Sequence, residues 1–296
     1  MKWLVIGERG LEHMKSTIQE AIDKEKKNLK FDKQVDAMIY KNMERDRSKF
    51  YKSVQNKIKE RFTEEADKVL KAISKADAVD LLQVIDQTIK SDQSNWQALL
   101  TSVYISVIEE FGQKSLSQVN RIKQVTKFNV FDEAVKSFIA KSVAEEVVEI
   151  EETTKKKLKK IIVDGLAEGK PIGKFSLSLA IEEQKDSIAL DIGRLYLEQI
   201  IPNRSETIAR TEVISASNAG SLQGAKQSGL EIMKRWIATP DDDIRETHAD
   251  LLGSPAIEMD ELFEVGDSYG EFPGDPNLSA EERINCRCTI AYERKE

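Results

Sequence analysis

The chain has 296 residues, room for one large or two ordinary domains, and is 33% charged, 40% hydrophobic and 6% aromatic. No window approaches the ~18 uncharged apolar residues of a membrane span, which excludes a membrane-spanning reading. The net charge of −7 is unevenly placed: residues 240–282 carry fourteen Asp and Glu against Arg245 alone, so −13 sits there and +6 on the rest. That acidic stretch is a poor DNA surface, because phosphate binding needs positive charge, and the basic excess is too dispersed to mark one elsewhere.

The opening Met1-Lys2-Trp3-Leu4-Val5-Ile6-Gly7-Glu8-Arg9 has a short apolar run that meets charge at once and does not read as a secretory signal. Proline is absent before Pro171, and only Gly7, Gly10 and Gly112 fall in the first 160 residues, so long helices are expected. Apolar residues at Val35, Ile39, Met43, Phe50, Val54, Ile58 and Phe62 form one stripe of a helix over 33–73. Leu81, Leu82, Ile85 and Ile89 predict a second helix from about Asp77 to Ile89. Ser94-Asn95-Trp96-Gln97 has the form of a capping box. The helix behind it carries Trp96, Leu99, Leu100, Val103, Tyr104, Val107, Ile108 and Phe111, a wide apolar face central to a helical core, with Gly112 expected to end or bend it. A helix over about 130–150 leads into Glu151 to Lys157, acid before base, the favourable order for i, i+4 pairs. The Lys155–Lys160 cluster reads as a solvated face.

Gly165, Gly169, Pro171 and Gly173 form the first dense group of breakers and set a boundary there, dividing a helical region, 1–165, from a second unit, 166–296. A further helix is expected from about Ser176 to Ile200, ending before Pro202, with a fresh start at the Asn203–Glu206 box. The helix from there to Gly229 is unusually rich in Ala, Ser and Gly, which lets another element come close; Arg210 and Glu212 then read as a structural ion pair on a buried helix. Ile232–Ala238 reads as a strand anchored by Trp236. Thr239 (N-cap), Pro240 (N1), Asp241 to Asp243 and Gly253 (C′) outline a helix whose apolar face holds Ile244, His248, Leu251 and Leu252, with Arg245 reaching Asp241. Glu261–Val265 is a candidate strand, Phe272-Pro273-Gly274-Asp275-Pro276 a rigid loop, and Ser279 to Glu282 a one-turn capping box.

Cys286, Cys288, Ile290 and Tyr292 alternate with Arg287, Thr289, Ala291 and Glu293, as a strand does. Two residues apart on a strand, Cys286 and Cys288 lie about 6.6 Å apart along the backbone, the upper limit for a disulfide, with both thiols on one face. A C-x-C pair makes no disulfide framework, which points to a reducing interior or a particle assembled in one. The spacing lets both thiolates approach one metal with His248 as third ligand and an Asp or Glu as fourth, and zinc suits that set. Two small thiols packed in a core is the other reading. The fold class expected is mainly α: a long-helix N-terminal region, then a small α+β domain with a short sheet.

The ordered series Ala209-Arg210-Thr211-Glu212, Trp236, Asp243-x-Arg245-x-x-His248, Gly253, Pro273-Gly274-Asp275-Pro276 and Asn285-Cys286-Arg287-Cys288 resembles the phage Mu F-like family of minor head (head morphogenesis) proteins. The core of the resemblance is 203–290, with looser likeness back to Thr153; the first 150 residues match nothing that can be named. The resemblance implies a component of a tailed-phage or prophage head, inside the head near the portal vertex, made in host cytoplasm, acting in head assembly or in packaging and ejection of DNA. Its implied partners are the portal protein, the major capsid or scaffolding protein, and packaged DNA, with no membrane. On this reading the marked residues are structural: Arg210 with Glu212 or Asp243, Trp236 as core anchor, Asn285 capping backbone at the strand start. Two other classes are weighed. One is a nuclease- or transferase-like enzyme built on Arg210, Glu212, His248 and the cysteines; against it, the chain has no Gly-rich phosphate loop, no His-x-x-x-His pair and no nucleophile with an evident base. The other is a weak, salt-sensitive DNA-binding module using the basic helices.

Overall fold

A computed structural model describes residues 8–120, 127–177, 181–182 and 186–295. The opening segment weighed as a signal lies largely outside these residues. The breaker-free start forms one helix, α1 (Glu8–Ile73), whose 66 residues span about 100 Å at 1.5 Å per residue. Its stripe is apolar where expected: Val54, Ile58 and Phe62 are buried, while Met43 and Phe50 pack partly buried against them.

Helix α2 (Leu81–Ser91) begins later than Asp77, because residues 77–80 close a turn with the Asp80 amide on Asp77 O. Leu81, Ile85 and Ile89 are buried, whereas Leu82 faces outward. Helix α3 (Gln93–Val119) starts directly behind Asp92, so the Ser94 box lies inside the helix and is not its cap. Asp92 is fully buried there, in contact with Arg61 and Lys68 and accepting a bond from Asn95 Nδ2 (2.7 Å). A carboxylate held at a helix N-terminus by two cations outweighs a local serine cap. Gly112 does not end α3, which runs on to Val119.

Helix α4 (Glu133–Ala167) is capped by Asp132, which accepts from the Ala134 amide, and runs unbroken through the acid–base stretch. Lys155 pairs with Glu152 (3.0 Å) and Lys159 with Asp86 (2.9 Å). The breaker cluster follows, with Gly169 at φ +72° just past the helix end. The helix expected from Ser176 begins only at Ile188. A two-strand hairpin, β1 (Phe175–Ser176) with β2 (Ile181–Glu182), takes the place of its start, and α5 (Ile188–Leu195) starts at Ser187, whose Oγ accepts the Leu190 amide. Nor does the chain stop before Pro202. A π-helical stretch, Tyr196–Arg204, carries it into α6 (Ser205–Gln227), so Asn203–Glu206 is no N-cap. The wider π turn tolerates a proline that would clash with the i−4 carbonyl in a regular α-helix.

Helix α6 is buried along most of its length. Its small residues let α3 pass within contact of its backbone: a Cβ on Gly220 would meet Ile108 O at 2.7 Å, and one on Gly224 would meet Gly112 O at 2.2 Å. Gly112 is thus a point of close helix approach rather than a terminator.

Strand β3 (Ile232–Ile237) is the centre of an antiparallel sheet ordered β4 (Ile257–Glu258)–β3–β7 (Thr289–Arg294), with Trp236 opposite Ile290. A hairpin, β5 (Phe263–Val265) with β6 (Ser268–Gly270), lies apart from it. The helix expected over 239–252 shrinks to one turn, α7 (Glu246–Ala249). Asp241 closes an Asx turn on the Asp243 amide and is drawn off to Arg287, which takes residues 240–243 out of the helix. Arg245 accordingly donates to Ile284 O and not to Asp241, and Leu252 is 52% exposed. A second single turn, α8 (Ala280–Arg283), precedes the cysteines, and the last strand opens at Thr289, not Cys286. One hydrophobic cluster runs from Val54 to Ala216, across residues 165 and 166; a second runs from Ala219 to Ile290, with α6 contributing to both. The chain is mainly α with a small C-terminal sheet region.

Candidate functional site

The marked residues fall into three buried groups and an open cavity. The first group is made by α7 and the segment entering β7. His248, Cys286 and Cys288 are each about 1% exposed, and their ligand atoms all lie within 4.8 Å of one another. His248 Nδ1 is 3.3 Å from Cys288 Sγ and 3.9 Å from Cys286 Sγ. Trp236 and Phe263 wall the group off: Trp236 meets His248 and Phe263 edge-on, each at 5.4 Å between centroids. On the other side of the ring, Nε2 is 3.0 Å from Glu282 Oε2, but off the N–H axis, so the contact is close without forming a hydrogen bond. Thr247 Oγ1 donates to the same carboxylate oxygen (2.8 Å). The two thiols diverge in acidity. Their mutual hydrogen bond, then burial, pushes Cys286 well above the ordinary cysteine range, while the same bond, helped by His248, holds Cys288 well below it. The carboxylate expected as fourth ligand does not join them: among the described residues the cluster is these three, and Glu282 approaches the far ring nitrogen.

The second group surrounds Glu212. It is fully buried, and it pairs not with Arg210 but with Tyr104, whose hydroxyl donates at 2.6 Å, and at 3.7 Å with Arg283. Arg283 in turn binds Glu146 (2.8 Å) and Glu149. Burial first, then the charge of Glu146, raises the Glu212 carboxyl well above the usual carboxylate range. Arg210 lies outward on the same helix and pairs with Glu206 (2.9 Å), one helical turn away.

The third group was not read from the sequence. Arg47, from the middle of α1, is fully buried in the C-terminal part. Its Nε donates to Ser217 Oγ (2.7 Å), its Nη2 to Asn218 Oδ1 (2.6 Å) and Thr289 Oγ1 (3.3 Å), and its Nη1 to Cys288 O (3.3 Å). Asn218 Nδ2 adds bonds to Pro273 O (2.7 Å) and Cys288 O. Arg47 falls on the apolar stripe of its helix, four residues after Met43 and three before Phe50, and a charge on that face was the signal that could have found it; Arg45, two residues earlier, faces outward.

A cavity of about 940 Å³ opens between α1, α6 and the segment around α7. Arg210, Asp243, Arg245, His248, Asn285 and Cys288 all line it, which brings most of the sequence-marked residues to one place. Asn285 has φ +58°, its amide donates to Thr211 Oγ1 (3.1 Å), and its Oδ1 is buried without a partner, so its side chain does not cap the strand start as expected. Gly253 (φ +76°) is remote from the cysteines in role: it turns the chain after α7. Among the described residues no helix is long and apolar enough to cross a membrane.

Residues 156–291 match a family model described as phage Mu protein F like protein. The chain is 34% identical over 119 residues to the uncharacterized protein YqbB of Bacillus subtilis, covering 39% of each chain. It is 35% identical over 85 residues to the NAD(+)–arginine ADP-ribosyltransferase EFV of Enterococcus faecalis, 28% of this chain and 17% of that one. The chain thus spans well under half the length of these relatives. No solved structure matches it.

Proposed function

We propose that this chain, which over residues 156–291 matches the phage Mu F-like family model, is a structural minor head protein of a tailed phage or prophage, bound at the portal vertex and acting in head assembly and in the packaging or ejection of DNA. The family match is the observation that carries this reading. The use of two marked residues supports it: Glu212 and Trp236 are spent on buried contacts that hold elements together, as a scaffold requires. Catalysis is no part of the reading. An 85-residue match to 17% of an ADP-ribosyltransferase carries too little of that protein to bring its activity with it. Host cytoplasm during assembly and the head interior afterwards are the corresponding locations, with portal protein, capsid or scaffolding protein and DNA as neighbours. The test is co-expression of the tagged chain with the portal protein of the same genome, followed by purification of assembled heads. Co-elution with portal, and presence of the chain in heads in few copies, is the expected result; a chain that neither binds portal nor enters heads refutes the proposal.

A further inference from the structure

We propose that His248, Cys286 and Cys288 bind one zinc-class divalent ion through Nδ1 and two Sγ atoms, with the fourth coordination position open to the cavity. Zn–S bonds of about 2.3 Å and Zn–N bonds of about 2.0–2.1 Å in a tetrahedral shell place sulfur and nitrogen ligands about 3.6 Å apart. The observed separations of 3.3 and 3.9 Å bracket that distance, so an ion fits with small side-chain adjustments. The donor set is soft and nitrogen-containing, which selects zinc over calcium or magnesium. The far side of the ring carries a carboxylate. An ion on Nδ1 fixes the remaining proton on Nε2; Glu282 Oε2, itself held by Thr247, lies 3.0 Å away but off the N–H axis, so a small turn of the ring as the ion seats completes that bond. A carboxylate behind a metal-bound histidine is the usual device for orienting the ring and raising its basicity.

The fourth position follows from what is missing. Among the described residues no further Cys, His, Asp or Glu comes within ligand distance, and both His248 and Cys288 line the cavity. A shell of three protein ligands with one side open to a cavity takes water or a small donor molecule in the remaining place.

The full chain is purified without chelator from zinc-supplemented medium and assayed for metal; we expect about one zinc per chain, bound tightly enough to survive dialysis. Replacement with cobalt(II) should give a thiolate-to-cobalt charge-transfer band and the intense visible bands of a tetrahedral shell. Cys286→Ser, Cys288→Ser and His248→Ala should each abolish tight binding. Should those variants fail to fold, Glu282→Gln, which touches no ion directly, should fold and bind zinc about 10–100-fold more weakly. Added imidazole should shift the cobalt spectrum through the open position. Wild-type protein holding less than roughly a tenth of an equivalent of zinc, with no charge-transfer band on cobalt addition, would overturn the site and leave a hydrogen-bonded thiol–imidazole cluster. A cobalt spectrum indifferent to imidazole would overturn the open position.

Discussion

Replacing Arg47 tests whether the long N-terminal helix is fastened by a specific guanidinium or merely by apolar contact. The side chain is fully buried and meets no carboxylate among the described residues; its partners are two side-chain oxygens of α6, Thr289 and the carbonyl of Cys288. Two of its bonds are short, at 2.7 and 2.6 Å, and a bond from a charged donor contributes about 1.5–3 kcal/mol net. Against that stands the cost of burying the charge, several kcal/mol per ion. Arg47→Met restores the stem, lifts the burial cost and leaves Asn218 Oδ1 and Cys288 O each with one other donor, Thr289 Oγ1 and Asn218 Nδ2. Its expected cost is therefore moderate, about 2–3 kcal/mol in urea unfolding. Arg47→Lys keeps the charge but not the fork: one ammonium cannot reach acceptors spread across the five N–H directions, and its burial remains uncompensated. The lysine variant should therefore be less stable than the methionine variant. Hydrogen exchange should show α1 and β7 losing protection together in both. A lysine variant within about 1 kcal/mol of wild type, or a methionine variant equal to it, would refute the reasoning, since either result makes the fork dispensable.

Three further outcomes are expected. Gly224→Ala sets a Cβ 2.2 Å from the Gly112 carbonyl of α3 and should cost about 1–3 kcal/mol or more, Gly220→Ala (2.7 Å from Ile108 O) somewhat less, both read by thermal unfolding. For Glu212 the folded carboxyl is raised by burial, so the native state keeps a proton that the unfolded chain releases; stability falls as pH rises from the ordinary carboxylate range towards the raised value. Glu212→Gln, which still accepts from Tyr104, should flatten that slope and be the more stable protein above it; equal slopes in urea titrations across pH would contradict this. Lys234 on β3 is buried, donates to Glu271 O (3.1 Å), and burial lowers its pKa from 10.5 to about 8. There the unfolded chain holds the extra proton between pH 8 and 10.5, so wild-type stability rises with pH through that window, and Lys234→Met should be the more stable at pH 7 with the advantage shrinking towards pH 10.

What was legible in the sequence was what repeats. The α1 stripe, the apolar face from Trp96 to Phe111 and the small-residue helix α6 are periodic or compositional signals spread over many residues, and they fold as read. What misled were short local signals that lost to distant partners. The Ser94 box lost to Asp92, paired with Arg61 and Lys68 from another helix. The Thr239–Gly253 helix lost most of its length once Asp241 engaged Arg287, 46 residues away. Pro202 is read as a stop by any local rule, and the π turn that absorbs it is held by the packing of Tyr196 and Ile200. At the site, periodicity turned His248 and the cysteines inward, and the structure joins them. The partners of Arg210 and Glu212 were beyond reach, because Tyr104, Glu146, Glu206 and Arg283 are chosen by tertiary packing and not by spacing.

The backbone carbonyl of Cys288 ties these separate observations into one mechanical statement. It accepts from Arg47 of α1 and from Asn218 of α6, and Asn218 also holds Pro273 O of the Pro-Gly-Asp-Pro loop. The side chain on that same residue is the thiol nearest His248. A second tie joins Arg235 of β3 to Asp36 of α1 at 2.7 Å. Arg47 thus reaches Cys288 both directly, at its carbonyl, and by way of Asn218. Fixing Cys288 stiffens the seat into which Arg47 locks. Arg47 of the long helix and Cys288 of the cysteine–histidine cluster, 241 residues apart in sequence, belong to one bonded unit, and a variant that loosens either should loosen the other.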